Sequence, residues 1–297
     1  MNILITGGTG LIGQQLIKSL SQCSVITVLT RDISTAEKTL TCKVALIDKL
    51  TLADIEKQDA VINLAGEPIA DKRWSKSQKE AICHSRWKIT EQITEFINIA
   101  KNPPSLFISG SAIGIYGRQT HCAIDESFTD HHQEFTHEVC ATWERLALAA
   151  ESESTRVVLL RTGIVLDKRA GALAKMLLPF KLGLGGKIAS GQQIMSWIHI
   201  EDMIAAILHI LKTPELTGPV NLTAKFPVTN EVFSQTLAST LNRPSFLFTP
   251  AIVLKIIFGE MADLLLFGQN VIPEKLNRSG FTFKYPTIDL ALKNLLK

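Results

Sequence analysis

Tyrosine is scarce in this chain. Only Tyr116 and Tyr285 occur in 297 residues, and the positions four residues later hold Thr120 and Asp289, so no Tyr-x-x-x-Lys pair exists anywhere. Cysteine is sparse and unpatterned: residues 23, 42, 83, 122 and 140, an odd number, widely spaced, with no C-x-x-C. That excludes a disulfide framework and a zinc knuckle, and points to free thiols in a reducing compartment, the cytoplasm. A second histidine is missing from HEVCA at 137–141, and His121, His131, His132 and His137 follow no ligand spacing, so no metal site is expected. No long basic run accompanies the net charge of +3, which argues against nucleic acid as a partner. No long apolar run is uninterrupted either. The most apolar stretch, AIVLKIIFGEMADLLLF at 251–267, carries Lys255, Glu260 and Asp263, whereas a bilayer span needs about 20 mostly apolar residues. It reads as a buried or half-buried helix. The first residues, MNILITGG, show no basic segment ahead of an apolar one, so no signal peptide is expected.

What is present is a rhythm. Short, continuously apolar, β-rich runs stand at 2–6, 24–30, 43–48, 60–65, 105–110 and 156–161. Such runs suit strands covered on both faces. Between them lie helical periods, as in Ile89, Ile93, Phe96, Ile97 and Ala100, and again in Val139, Trp143, Leu146, Ala147 and Ala150. Strand and helix in alternation imply an α/β fold with a doubly wound parallel sheet, a Rossmann domain. After Arg161 the rhythm changes. Residues 1–220 are expected to form the nucleotide-binding domain and 221–297 a small mixed α/β C-terminal lobe, with 165–195 contributing to the substrate side.

The first strand runs into GGTGLIG and then a helical period. Gly7, Gly10 and Gly13 allow a tight turn and close approach of backbone to a pyrophosphate, which would rest on Thr9, Gly10, Leu11, Ile12 and Gly13 at the helix N-terminus. The second strand ends in VLTRD. An acidic residue at the contact position would choose the ribose 2′-hydroxyl of NAD. Thr30 and Arg31 stand there instead, and an arginine fork suits a 2′-phosphate, which favours NADP(H) over NAD(H). The other reading leaves Arg31 to solvent and bends Asp32 back to the ribose.

TGGTGLIG, NLAG at 63–66, SGSAIGIYG at 109–117, LRTGIVL and WIHIEDM together resemble an extended short-chain dehydrogenase/reductase of the nucleotide-sugar epimerase type. AGEPIADKRW at 65–74, the Ser-Arg pair at 85–86, MLLPFKLGLGGKIASGQQ at 176–193 and the tail FGEMADLLLFGQNVIPEKL resemble its atypical "epimerase family protein" branch, which ends in a small domain of unknown function. The resemblance covers essentially the whole chain. It implies an NADP-binding Rossmann domain, with Leu64, Ala65 and Gly66 along the cofactor, and Glu80 and Arg86 beside it.

That superfamily uses a tyrosine as general acid/base, its pKa lowered from about 10 by a lysine four residues on. Anchored on Glu144, Thr136 falls at the tyrosine position and Cys140 at the lysine position. Candidate substitutes are Ser109 or Ser111 after the fifth strand and Tyr116, projecting into the cleft or forming an apolar wall. His137 would contact cofactor, act as an acid or stand exposed on its helix. Cys140 is expected to be buried packing. His199 and Asp202 would order the sheet edge, and Arg161 would meet the cleft. The leading reading is an NADP(H)-dependent oxidoreductase or epimerase, acting on a small molecule of unknown identity through a non-standard proton donor. The others are a catalytically silent NADP(H)-binding regulator and a protein docking on a membrane surface through 251–267. Extended relatives pair through helices of the Rossmann lobe, which would give a homodimer; the alternative is that Ile89, Ile93, Phe96 and Ile97 are wholly used by the core.

Overall fold

A computed structural model describes residues 1–119 and 122–297; Thr120 and His121 lie outside the described residues. Seven parallel strands form the central sheet. They are β1 (Asn2–Thr6), β2 (Val25–Leu29), β3 (Ala45–Ile47), β4 (Ala60–Asn63), β5 (Leu106–Ala112), β6 (Arg156–Thr162) and β7 (Gly218–Leu222), in the order β7-β6-β5-β4-β1-β2-β3. The order reverses beside β1, where an open α/β sheet forms its ligand crevice. Strand alternation decides which face each side chain joins. Ile3 and Ile5 lie in one core with Leu16 and Ile17, while Leu4 joins the opposite core with Ile93, Ile97 and Ala147. Both faces are covered, which is why these strands read as unbroken apolar runs.

The helices are α1 (Leu11–Leu20), α2 (Ile33–Thr39), α3 (Leu52–Ile55), α4 (Lys76–Ile99), α5 (Phe135–Leu148), α6 (Gly171–Lys181) and α7 (Ile200–Lys212), followed by α8 (Asn230–Thr240), α9 (Ala251–Phe258), α10 (Asp263–Leu266), α11 (Glu274–Arg278) and α12 (Ile288–Leu296). Ser75 caps α4 by accepting from the Gln78 amide (3.1 Å). The long period on α4 is consumed internally: Ile93 and Ile97 are buried, and Ile89, Phe96 and Ala100 pack against the same core. Of the two readings of this stripe, the structure gives it to the core.

Beyond β6 the chain crosses repeatedly. Gly186–Ile188 pairs with Leu247–Thr249, Ile194–Met195 with Val228–Thr229, and Ala123–Ile124 with Asn270–Val271. The segment around 165–195 thus shares small sheets with the C-terminal part. Its core is not separate, because Phe233, Leu237, Ile288 and Leu292 join the cluster that holds Ile3 and Ile5. The expected boundary near 220 falls inside β7. The expectation of a buried or half-buried helix over 251–267 also needs correction. Gly259, at φ 61°, ends α9, a 3₁₀ turn spans Gly259–Ala262, and within α9 only Leu254 is buried. Among the described residues no helix is long and apolar enough to cross a membrane.

Candidate cofactor and active site

The glycine loop is built by exclusion. Gly7 takes φ +68°, and a Cβ on it would stand 2.5 Å from the Leu64 carbonyl oxygen. A Cβ on Gly13 would stand 2.4 Å from the Gly7 oxygen. These two positions accept no side chain, and they press the start of α1 against the loop. Gly10 caps α1 with no side chain, so the first turn presents its amides outward, a ready anion site. Thr9 is half-buried, and its carbonyl accepts from Gln14 Nε2 (2.7 Å). Leu11 and Ile12 pack partly against the core.

A polar strut fixes the neighbouring turn. Thr6 Oγ1 donates to Asn63 Oδ1 (2.6 Å), and Asn63 Nδ2 donates to Thr90 Oγ1 (2.8 Å). The Ala65 amide donates to both Thr6 Oγ1 and Asn63 Oδ1 (3.3 Å each). These bonds aim Leu64, Ala65 and Gly66 along the carboxyl edge of the sheet. The Ser-Arg pair holds the far side. Ser85 Oγ accepts from the Glu67 amide (2.9 Å), and a Cβ on Gly66 would sit 3.0 Å from Arg86 Cζ.

Arg86 is the notable group here. Its Nη1 donates to the Ile82 carbonyl (2.9 Å), and its guanidinium lies 5.3 Å from the Trp143 ring centroid. No carboxylate pairs with it among the described residues, and burial pushes its pKa below the ordinary arginine value. A desolvated guanidinium with no carboxylate partner, set against the glycine-rich turn, is suited to an anionic or carbonyl group. Glu80 does not share this place. It is exposed, and six residues from Arg86 on one helix puts it about 120° away around the axis. Glu67, which the sequence reading passed over, is the carboxylate that influences Arg86.

At the end of β2, Arg31 is exposed. Asp32 is engaged as the cap of α2, accepting from the Thr35 amide (3.0 Å) and hydroxyl (2.6 Å), which hold its carboxyl below the usual range. Thr30 Oγ1 is bonded to the Asp32 backbone.

The expected catalytic groups are not free. Ser109 is fully buried and donates to the Gly110 carbonyl (3.2 Å). Ser111 donates to Glu144 Oε1 (2.6 Å). Glu144 also receives Arg161 as a fork, Nε to Oε1 and Nη2 to Oε2, both at 2.9 Å. Arg161 Nη1 donates to Tyr116 Oη (3.0 Å), and Tyr116 donates to Asn221 Oδ1 (2.7 Å). Tyr116 is fully buried, so it neither projects into the cleft nor forms a wall with a wet hydroxyl. Burial raises its pKa despite Arg161, the opposite of what a tyrosine base requires. Arg161 is likewise committed to this network. Register explains the convergence: Ser111 pairs with Arg161, and Arg161 with Asn221, across β5, β6 and β7.

The α5 face opposite is closed. A Cβ on Gly114 would lie 3.1 Å from Thr136 Cβ and 3.6 Å from Cys140 Sγ, so the 3₁₀ turn Ile113–Tyr116 covers the positions aligned with the tyrosine and lysine. Cys140 is packing, and burial pushes its thiol up to about 12. His137 is buried, not an exposed helix residue, and its Nδ1 donates to the Ile115 carbonyl (2.5 Å). His199 accepts at Nδ1 from the Glu201 amide (3.0 Å), faces Asn294 with Nε2 and stacks 3.9 Å from Tyr285. Asp202 accepts from the Lys284 and Tyr285 amides (2.8 and 2.9 Å). Both pin the C-terminal segment to the sheet.

Residues 3–222 match the NAD dependent epimerase/dehydratase family, and residues 249–295 match a domain of unknown function, DUF1731. An epimerase family protein of Staphylococcus saprophyticus is 38% identical over 294 residues, covering 99% of this chain and 98% of its own. A human epimerase family protein, whose crystal structure contains NADPH, shares 32% identity over 99% of each chain, with a TM-score of 0.89. A nucleoside-diphosphate sugar epimerase from Corynebacterium glutamicum shares 26% identity and a TM-score of 0.79 over 100% of this chain and 58% of that one.

Proposed function

The chain belongs to the NAD dependent epimerase/dehydratase family, and from that premise we propose that it binds NADP(H) and carries out an oxidoreductase or epimerase reaction on a small molecule. The observation that carries the reading is the convergence at one sheet edge of the side-chain-free loop at Gly7 and Gly13, the Leu64–Gly66 turn and the unpaired Arg86. The pyrophosphate would lie on the amides of Gly10, Leu11 and Ile12. Arg31 would meet the 2′-phosphate, a role left to it because Asp32 is occupied with Thr35. The NADPH in the human relative supports this preference. A bound nicotinamide would supply the hydride donor or acceptor.

The protein's part is placement and proton control. Ser111 is the candidate contact for a substrate hydroxyl: its own proton goes to Glu144, which Arg161 holds, so its oxygen is left to accept. Ser109 and Tyr116 serve structure. Arg86 supplies fixed positive charge beside the turn, worth most where water is excluded. His137 stays a positioning group for the Ile113–Tyr116 turn.

One observation favours a second reading. The turn that covers Thr136 and Cys140 leaves no general base of the ordinary kind. A nucleotide-binding regulator needs none. The two separate when NADPH-loaded protein is mixed with a panel of small aldehydes, ketones and nucleotide-linked keto sugars. Loss of NADPH absorbance with at least one class is expected, and Ser111→Ala should slow it by about 10²-fold or more. No oxidation with any class, together with a nucleotide-dependent change in assembly, would establish the regulator instead.

A further inference from the structure

One face of the molecule is apolar, exposed and outside the cofactor site. Along α6 and the loop after it, Leu178, Leu182 and Leu184 are 66%, 64% and 63% exposed. Gly183 of that loop lies 3.7 Å from Pro244 when given a Cβ, and Gly186–Ile188 pairs with Leu247–Thr249, so the two segments form one surface. There Phe246 and Phe248 are 78% and 60% exposed, and α9, which starts two residues after that strand, adds Ile252, Ile256 and Ile257 at 64%, 68% and 55%. Side chains of these types at these exposures amount to on the order of 1,000 Å², against roughly 300–600 Å² for the largest patch on an ordinary monomer.

The two stretches that build it carry charge of one sign, and the carboxylates that reach its edge, Asp71 and Glu231, are each paired with a lysine. No aspartate or glutamate occurs between Asp167 and Glu201, or between Glu231 and Glu260, the two stretches that build this face. Lys181, Arg243 and Lys255 stand exposed on it, and none is ion-paired among the described residues. Of the other lysines in these stretches, Lys175 and Lys187 are taken by Asp71 and Glu231.

We propose that this face docks on an anionic lipid surface, with α9 lying in the interface. A helix of eight residues is too short to span and long enough to lie flat, its apolar side chains among acyl chains and its lysine toward headgroups. Charge selects this occupant over a second copy of the chain. Two copies meeting across this face would bring Lys181, Arg243 and Lys255 onto the same residues, with no carboxylate in either stretch to receive them. Phosphate headgroups provide that complement. The inference is independent of the reaction at the cofactor site.

Flotation of the full chain with vesicles tests it. Vesicles of seven parts phosphatidylcholine to three parts phosphatidylglycerol should carry the protein at low salt, pure phosphatidylcholine vesicles at least about tenfold less, and about 0.5 M salt should release it. Phe246→Ser with Ile256→Ser should lower binding at least about tenfold with an unchanged melting temperature, because both side chains already face water. Lys181→Ala, Arg243→Ala and Lys255→Ala should each lower it by about fivefold. Failure to float with either vesicle would overturn the proposal. So would a dimer in light scattering that Ile256→Ser converts to monomer, which would give the face to a second copy.

Discussion

Glu144 accepts three hydrogen bonds while almost wholly buried, one from Ser111 and two from Arg161. Each of these groups would be costly alone, and together they satisfy one another. Glu144→Ala should therefore destabilise by about 3–5 kcal/mol, since it strands the Arg161 charge and the Ser111 hydroxyl. Glu144→Gln should cost less, as the amide oxygen can still accept. Denaturant unfolding measures both; a loss below about 1 kcal/mol for the alanine would mean water already reaches Arg161. Part of this network was visible in the sequence. Ser111, Tyr116 and Arg161 each drew notice, but as separate candidates for a cleft, and Glu144 only as the anchor for the missing tyrosine and lysine. That they bond to one another depends on register between β5, β6 and β7, which no local pattern encodes. Asn221, a polar residue among apolar neighbours, was the available signal.

Helix α5 shows why the ordinary chemistry cannot simply be put back. Its face at Thr136 and Cys140 is filled by the Ile113–Tyr116 turn. Thr136→Tyr with Cys140→Lys should overpack that contact, lower stability by about 1–3 kcal/mol per site and confer no gain in turnover. A variant that melts like the parent and oxidises NADPH faster would show the face to be open. At the other end of the sheet, α7 and α12 are joined through His199, Asn294 and Tyr285. Burial lowers the His199 pKa, against the opposing pull of Glu201, Asp202 and Asn294, with Lys284 reinforcing burial. The unfolded chain then binds the proton better than the folded one below about pH 6.5, so stability present at neutral pH is lost as pH falls from there toward the folded value. Melting at pH 5 should fall relative to pH 7.5, and His199→Asn should flatten that difference. An unchanged slope would place the proton elsewhere.

Across the whole molecule, the first six strands were legible because each is a continuous apolar run followed by a helical period. The seventh, Gly218–Leu222, was not, because a strand reading GPVNL opens with glycine and proline and sits at the sheet edge, where neither is excluded. The small C-terminal lobe was expected with a soft boundary, since the chain crosses between lobes more than once, and β7 and the shared core tie residues beyond 220 to the sheet. The apolar tail stretch misled in another way. Composition suggested burial, yet most of α9 faces outward, and composition alone cannot tell a core helix from a docking face.

Cofactor choice ties these scales together, since a single side chain at the end of β2 would decide it for the whole protein. The measurement is a titration of nucleotide-free protein with NADPH and NADH, repeated on Arg31→Ala. NADPH is expected to bind at least about tenfold tighter, a gap of about 1.4 kcal/mol, and the substitution should erase the difference without weakening NADH. Equal binding of the two nucleotides by the parent protein would contradict the role given to Arg31, and failure to bind either would contradict the site itself.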